Sequence, residues 1–453
     1  MTGDLILKAL AAVCGETREG TAADAIGGAG ARTAGGGIVP SFVASPGSTE
    51  EAAAVMRVTA EHELAVVVRG AGGRLGWGVP PTRCDLLIDM SRMGAVVEHS
   101  AGDLVARIQA GARMGDVADV LARAGQEIAL DVPPGATIGG VVASGLAGPR
   151  RLRYGTPRDL LIGITIVRAD GTVARSGGKV VKNVAGYDLG KLLAGSEGSL
   201  ALITEATFRL HPLPAARAYV TAEYVAVSVA CDAVAAAANS PLTASAVELS
   251  RPEPGGPIRV GVLLEGSAAG VASRATRMAS LLGPAEISDS QPSWWPGPPA
   301  AGDGATLVQV SFWVSALPRV LDAIDEAARE SGLSPAIAGS AGAGVLYLRL
   351  GPDPRLGPDP RLDQDPQVDP DVSAETCHAL ASDVPAFVGV LRSALAGERG
   401  GVTVLTAPGP VREALVADGG MAGTVPALAL MRAVKDRFDP GRRMAPGRFP
   451  EAM

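Results

Sequence analysis

The chain has 453 residues, a formal net charge of −7 and 47% hydrophobic against 19% charged content. It is therefore long enough for two or three domains and too apolar to be disordered. An acidic balance with aromatics at only 3% argues against a nucleic-acid binder, which shows a basic face and stacking rings. Cys14, Cys84, Cys231 and Cys377 are scattered with no CxxC pair, so no iron–sulfur cluster or zinc ribbon is signalled and no metal is expected; free thiols in a reducing cytoplasm fit the pattern.

At the start, Asp4 and Lys8 interrupt an apolar stretch, and Leu5, Leu7, Ala11 and Cys14 suit a short amphipathic helix better than a signal peptide. No run approaches the roughly 20 apolar residues that a spanning helix needs, so contact with a membrane is expected only through partners. Residues 15–40 read as a surface lead-in. Ser48 then caps a helix running to His62, with Glu50 and Glu51 matching the dipole in its first turn. A buried strand over residues 65–68 empties into Arg69, Gly70, Ala71, Gly72, Gly73 and Arg74, and the glycines continue to Gly78. Consecutive N–H groups in such a loop make an anion-binding nest, although the spacing is neither a Walker loop nor a good dinucleotide fingerprint.

Strands follow over residues 85–90 and 104–110, then a helix over 114–124. Pro133 and Pro134 set an extended approach to Gly135 and Ala136, and Thr137, Ile138, Gly139 and Gly140 read as a tight turn. The small residues Ala143, Ser144, Gly145, Ala147 and Gly148 leave room for a flat ring, with Arg150, Arg151 and Arg153 beside it. Those arginines serve either surface solubility or a cofactor or partner contact. A strand over 160–168 turns at Asp170-Gly171, and Asp188 caps a helix carrying Leu189, Leu192 and Leu193. Gly195, Ser196, Glu197 and Gly198 form a polar turn before a strand over 200–204. Short strands among helices in this order predict an α+β fold and not a regular doubly wound sheet.

In order, the motifs PGSTEE, VRGAGG, TIGG, RYGT, GYDL and GSEG resemble the FAD-binding domain of the vanillyl-alcohol-oxidase/PCMH flavoproteins over residues 41–214. More narrowly, ATIGGVVASGLAGPRR and GGKVVKNVAGYDLGKLLAGSEG resemble the FAD-binding subunits of bacterial glycolate oxidase. The resemblance implies a two-lobed PCMH-type domain with FAD between the lobes. It puts Arg69, Gly70, Ala71, Gly72, Gly73, Arg74, Pro134, Gly135, Ala136, Thr137, Gly139 and Gly140 at the pyrophosphate. Gly145, Gly148, Tyr154 and Gly155 would lie near the ring and ribityl chain, and Gly195, Ser196, Glu197, Gly198 and Ile203 near the adenosine side. Relatives that tether the flavin do so through a histidine where this chain has Gly73, so the FAD is expected to be non-covalent.

The flavin motifs stop near residue 214. Residues 215–424 then alternate strands (258–265, 306–314, 345–350, 402–406) with helices (270–282, 317–331, 385–395), as expected of the family's two-layer α/β cap. Trp294 and Trp295 sit in a proline-rich segment read as a packed cap edge in preference to an exposed partner loop. GPDPRL repeats in tandem, and the Pro/Asp-rich run over 351–372 reads as a flexible insertion. Residues 425–453 resemble the family's closing segment, which returns to the flavin domain.

Oxidising a 2-hydroxy acid needs a base for the hydroxyl proton, a cation for the carboxylate and a hydride acceptor. Catalytic relatives of the D-2-hydroxy-acid type carry a histidine-rich cap signature, whereas His62, His99, His211 and His378 are dispersed here, and no catalytic residue is assigned. The first expectation is thus an FAD-binding subunit of a glycolate oxidase complex. A sister FAD-dependent subunit would oxidise the small hydroxy acid, glycolate, to glyoxylate, and an iron–sulfur subunit would pass electrons on. One alternative is a self-sufficient FAD-dependent 2-hydroxy-acid dehydrogenase, with Arg150, Arg151 or Arg153 as carboxylate clamp and Lys182 or Tyr187 near the proton. Another is a non-enzymatic scaffold.

Overall fold

A computed structural model describes residues 3–26, 37–178, 188–297, 304–351, 374–417 and 420–448. The chain divides into two units. The first comprises residues 1–146, 156–213 and 425–453; the second comprises 147–155 and 214–424.

In the first unit, Phe42–Ala44 and Val66–Arg69 both run parallel to Leu86–Asp89. A parallel pair cannot be joined by a tight turn, and the helix Thr49–Glu61 makes the crossover. Ser48 Oγ accepts from Glu51 N–H at its start, and Ala52, Ala53, Val55 and Met56 face the core. The second sheet is antiparallel, in the order Val96–Ser100, Val105–Gln109, Leu202–Arg209, Leu161–Val167, Val173–Gly177. Its last hairpin turns at Asp170 and Gly171, where Asp170 accepts from Thr172 N–H and Gly171 takes φ +80°. One aliphatic core, including Met56, Leu86, Ile108, Val142 and Phe208, serves both sheets.

Two expectations change at the N-terminus. Residues 15–40 are more than a lead-in: Thr17–Glu19 pairs antiparallel with Phe42–Ala44, and Asp24 is only 3% exposed. The first helix, Gly3–Val13, buries Leu10 and packs Ile6, Leu7 and Val13 on the core, while Leu5 and Ala11 face solvent. The i, i+3, i+4 spacing from Ile6 through Leu10 to Cys14 sets that face.

In the second unit, the order of elements is Ala216–Tyr224, Val227–Asn239, Ala246–Arg251, Ile258–Gly266, Ala268–Leu282, Ala285–Ser288. It is followed by Thr306–Phe312, Leu317–Ser331, Ala336–Gly339, Val345–Leu350, Ala374–Ala394, Gly400–Thr406. Each half is a βαββαβ unit of the ferredoxin-like kind. Both halves contribute four strands to a single antiparallel sheet, joined where Ala246–Arg251 pairs with Ala336–Gly339. Four of these eight strands (Ala216–Tyr224, Ala246–Arg251, Ala285–Ser288 and Ala336–Gly339) and the helix Val227–Asn239 were not expected from the sequence, and without them the duplication does not show. Trp295 is 4% exposed and meets the Tyr219 ring edge-on at 5.0 Å. The helix expected from Pro385 begins at Ala374, with Pro385 inside it. The GPDPRL repeat and the acidic run after Gly351 lie outside the described residues, as do Lys182 and Tyr187.

The last segment is stitched into the first unit. Lys435, 3% exposed, donates from Nζ to Asp439 Oδ2 (2.7 Å), Ser199 O (2.6 Å) and Met444 O (2.9 Å). Beyond it, Val66 N–H donates to Arg443 O and Ala445 N–H donates to Val66 O, both at 2.8 Å. Burial pulls the Lys435 pKa down and Asp439 opposes that pull. Removing one member of a buried pair strands the other, at a cost of about 3–5 kcal/mol. Lys435→Met is therefore expected to lower the urea midpoint substantially. A midpoint within error of the wild type would show that the tail is not anchored there.

Candidate cofactor site

The strand Val66–Arg69 delivers Arg69 to the head of the first glycine loop. Its guanidinium is held by Asp89 Oδ2 (2.7 Å from Nη2, 3.0 Å from Nε) and Asp24 Oδ1 (3.3 Å). Asp24 also takes two bonds from Arg18, at 2.6 and 2.7 Å. The Arg69 side chain thus braces the base of the loop, and what the loop offers is backbone. Among the described residues, the N–H groups of Gly70, Ala71, Gly72 and Gly73 donate to no protein group. Gly72 takes φ +81°, and a Cβ on Gly73 would meet nothing within 4 Å. Four successive free donors on an open turn are an anion nest. The loop closes with Leu75 N–H on Gly72 O, and the Arg74 guanidinium lies 3.9 Å over the Trp77 ring.

Gly70 packs so closely on Thr137 that an added Cβ would lie 2.1 Å from its Oγ1. That hydroxyl accepts from Gly140 N–H and caps the helix Ile138–Ser144. The expected tight turn over 137–140 is therefore the first turn of a helix. Ile138, Val141 and Val142 are buried, and Gly139 is needed because a Cβ would sit 2.8 Å from Ala110 Cβ. Upstream, the carbonyls of Pro134 and Ala136 accept from Gly115 and Met114, and Gly135 lies between them. The helix ends at Gly145, φ +64°.

The second glycine turn docks on that helix end. Gly195 N–H donates to Val142 O (3.0 Å), and Glu197 N–H donates to Ala143 O (2.8 Å). Among the described residues the buried Ser196 Oγ has no partner. Gly195 and Gly198 have open space at their Cα atoms, while Glu197 holds a left-handed φ of +53°. Burial pushes the Glu197 carboxyl pKa up, and Arg448 and Arg74 pull it back. Ile203, 6% exposed, lies at the bulged start of the strand Leu202–Arg209, in the core.

The structure thus gathers residues 69–74, 134–140, 145 and 195–198 within the first unit. Gly148, Tyr154 and Gly155 belong to the second unit. There the arginines are engaged, so a surface-solubility role fails for Arg150, which is 7% exposed. Glu265, 1% exposed, accepts from Arg217 Nε (3.0 Å), Tyr154 OH (3.1 Å) and Arg150 Nη1 (3.5 Å). Burial first, then the Glu265 charge, raises the Tyr154 pKa. Arg153 reaches Ser245 Oγ and Glu265 O, both at 3.4 Å, and Arg151 reaches Tyr347 OH at 3.1 Å. Asp89, Glu265 and Arg448 have no local signal, since each meets its ion-pair partners 20 or more residues away, while Asp24 pairs locally with Arg18 and Thr21 and reaches Arg69 across 45 residues.

Residues 40–177 match the family model of the FAD binding domain. The chain thus carries an FAD binding domain of the PCMH type. It is 35% identical over 202 residues to the glycolate oxidase subunit GlcD of Bacillus subtilis, covering 43% of this chain and 42% of that protein. It is also 35% identical over 217 residues to the mitochondrial D-lactate dehydrogenase (cytochrome) 1 of Saccharomyces cerevisiae, covering 47% and 36%. The chain spans about two-fifths of the length of these curated relatives. A solved structure of alkyldihydroxyacetonephosphate synthase shares the fold, with TM-score 0.67 and 15% identity over 98% of this chain and 85% of that one. The free N–H row, the open glycines and the orphaned Ser196 hydroxyl fit such a phosphate-bearing cofactor.

The brace under the loop has a pH signature. Hydrogen bonding to Arg18, and then to Thr21, holds the Asp24 carboxyl well below the ordinary carboxylate range. A depressed carboxylate pKa contributes stability that is complete above the unfolded value, near 3.9, and is lost as pH falls below it. Asp24→Asn is expected to cost about 2 kcal/mol at neutral pH, the worth of charged hydrogen bonds. Urea unfolding should show the gap between the two proteins narrowing as pH falls below about 4. A gap that stays constant with pH would count against the brace.

Proposed function

We propose that this chain is the FAD-binding subunit of a 2-hydroxy-acid oxidoreductase complex, of the glycolate oxidase kind. The observation that carries the reading is the free N–H row at Gly70–Gly73, gathered with the turn Gly195–Gly198 around one helix in a matched FAD binding domain. The hydroxy-acid substrate class is supported by the glycolate oxidase subunit and D-lactate dehydrogenase among the relatives.

Bound FAD would supply an electron acceptor, taking up the two electrons that the sister flavoprotein removes from the hydroxy acid and passing them on. The protein's part begins with binding. The N–H groups of Gly70–Gly73 would hold the pyrophosphate, with Pro134–Gly140 as the neighbouring wall. Ser196 Oγ, Glu197 and Gly198 would line the adenosine side, and Gly145 would leave space for the ring. No histidine stands in either glycine loop, which supports non-covalent attachment. Within the second unit, Tyr154 is oriented by its hydrogen bond to Glu265.

Substrate oxidation is assigned to a sister flavoprotein, with an iron–sulfur subunit downstream. Arg150 is committed to Glu265, and among the described residues no group of three or more His, Cys, Asp or Glu side chains could hold a metal. Among them, too, no helix is long and apolar enough to cross a membrane. The scattered cysteines with no CxxC pair support a reducing, cytoplasmic setting for the complex, with any membrane contact made through partners.

Anaerobic mixing tests the reading. The purified chain should take up FAD, keep its flavin absorbance with glycolate or D-lactate alone, and lose it when the sister subunit is added. Rapid bleaching without a partner would instead establish the self-sufficient dehydrogenase, and failure to take up FAD would end the proposal.

A further inference from the structure

We infer that Arg448 is a positioning residue that ties the two glycine turns of the FAD site to each other, an inference that rests on the FAD-binding reading above. Arg448 is 5% exposed and spends its guanidinium on three groups. Nη1 donates to Leu75 O (2.8 Å), and Nη2 donates to Arg74 O (2.9 Å) and Glu197 Oε2 (3.3 Å). Arg74 and Leu75 directly follow the row of free N–H groups; Glu197 sits at the crown of the other turn. One planar cation therefore spans both sides of the site. It lies 374 residues from Arg74 and 251 from Glu197 in sequence.

The peptide plane makes this more than a prop. Fixing the carbonyls of Arg74 and Leu75 fixes the planes that contain them, and so the exit of the loop whose donors must face one way. On the other side, Glu197 holds a strained left-handed φ of +53° in surroundings that favour its neutral form. The Arg448 charge works against that burial, and a charged partner reaching two carbonyls in a fixed fork is something lysine cannot reproduce.

The tail is pinned just before Arg448 by contacts that do not involve its side chain. Ala445 N–H donates to Val66 O, and Thr82 N–H donates to Pro446 O, both at 2.8 Å. Gly447 takes φ +79° against Thr82, where a Cβ would lie 2.6 Å from Cγ2. Loss of the guanidinium alone should therefore leave the tail seated and loosen only the two turns.

The test compares wild type, Arg448→Met and Arg448→Lys by FAD titration, thermal unfolding without FAD, and amide hydrogen exchange. Arg448→Met is expected to weaken FAD binding by about tenfold. Exchange should quicken at residues 70–78 and 195–198 and stay unchanged in the strand Leu202–Arg209. Arg448→Lys should fall between the two, and it decides the matter if Arg448→Met does not fold. Wild-type FAD affinity and loop exchange in the variants would overturn the inference while leaving the FAD reading intact. Weakened binding with exchange raised everywhere would also overturn it, as the mark of a general structural role. A wild-type chain that binds no FAD would overturn both.

Discussion

The ammonium of Lys435 is enclosed among three oxygens, from Asp439, Ser199 and Met444, with almost no exposure to water. A buried charge in that position must be satisfied completely, and its three acceptors come from the residue that caps its own helix, the residue after the second glycine turn and the closing loop. That geometry decides where the closing segment runs. It brings residues 443–446 alongside Val66 and Thr82, and so to the strand that feeds the first glycine loop. Arg448 and its reach to Glu197 follow from this placement.

The site itself is mostly main chain. Its side-chain ions, Arg69 with Asp24 and Asp89, and Arg448 with Glu197, act on loop shape. The binding surface is left to N–H groups and to glycines that keep carbon out of the way. This arrangement suits a large polyanionic cofactor, because a row of fixed dipoles neutralises charge without a titratable group that could change state with pH.

Local signals in the sequence were strong where structure is local. Ser48 with Glu50 and Glu51 marks a helix start, and Asp170-Gly171 marks a hairpin, because cap and turn chemistry acts over two to four residues. The Thr-Ile-Gly-Gly segment misled for the same reason. Adjacent glycines normally signal a turn, but Gly139 is there to let a helix approach Ala110, a contact that no local pattern announces. Arg448 was invisible because its partners lie at long range, and Asp24 because its local pairing with Arg18 and Thr21 fell in a segment read as a surface lead-in. The duplicated βαββαβ architecture was obscured because four of its eight strands went unread; Ala336–Gly339 and Ala285–Ser288 have only four residues each, and Ala246–Arg251 is buried throughout and so lacks alternation. The glycine loops of the site were legible as motifs; what holds them in register was not.

The order in which the pieces of the first unit occur along the chain carries a further consequence. Residues 214–424 stand between the flavin-type segment and the closing segment that completes the same unit. During synthesis the glycine loops emerge early, but Lys435 and Arg448 reach the ribosome exit only after the whole duplicated sheet has been made. Contacts of such long separation carry a loop-closure cost before they return any stability. Until residues 425–448 are made, the first unit has its glycine loops and lacks the contacts of Lys435 and Arg448 that tie them together.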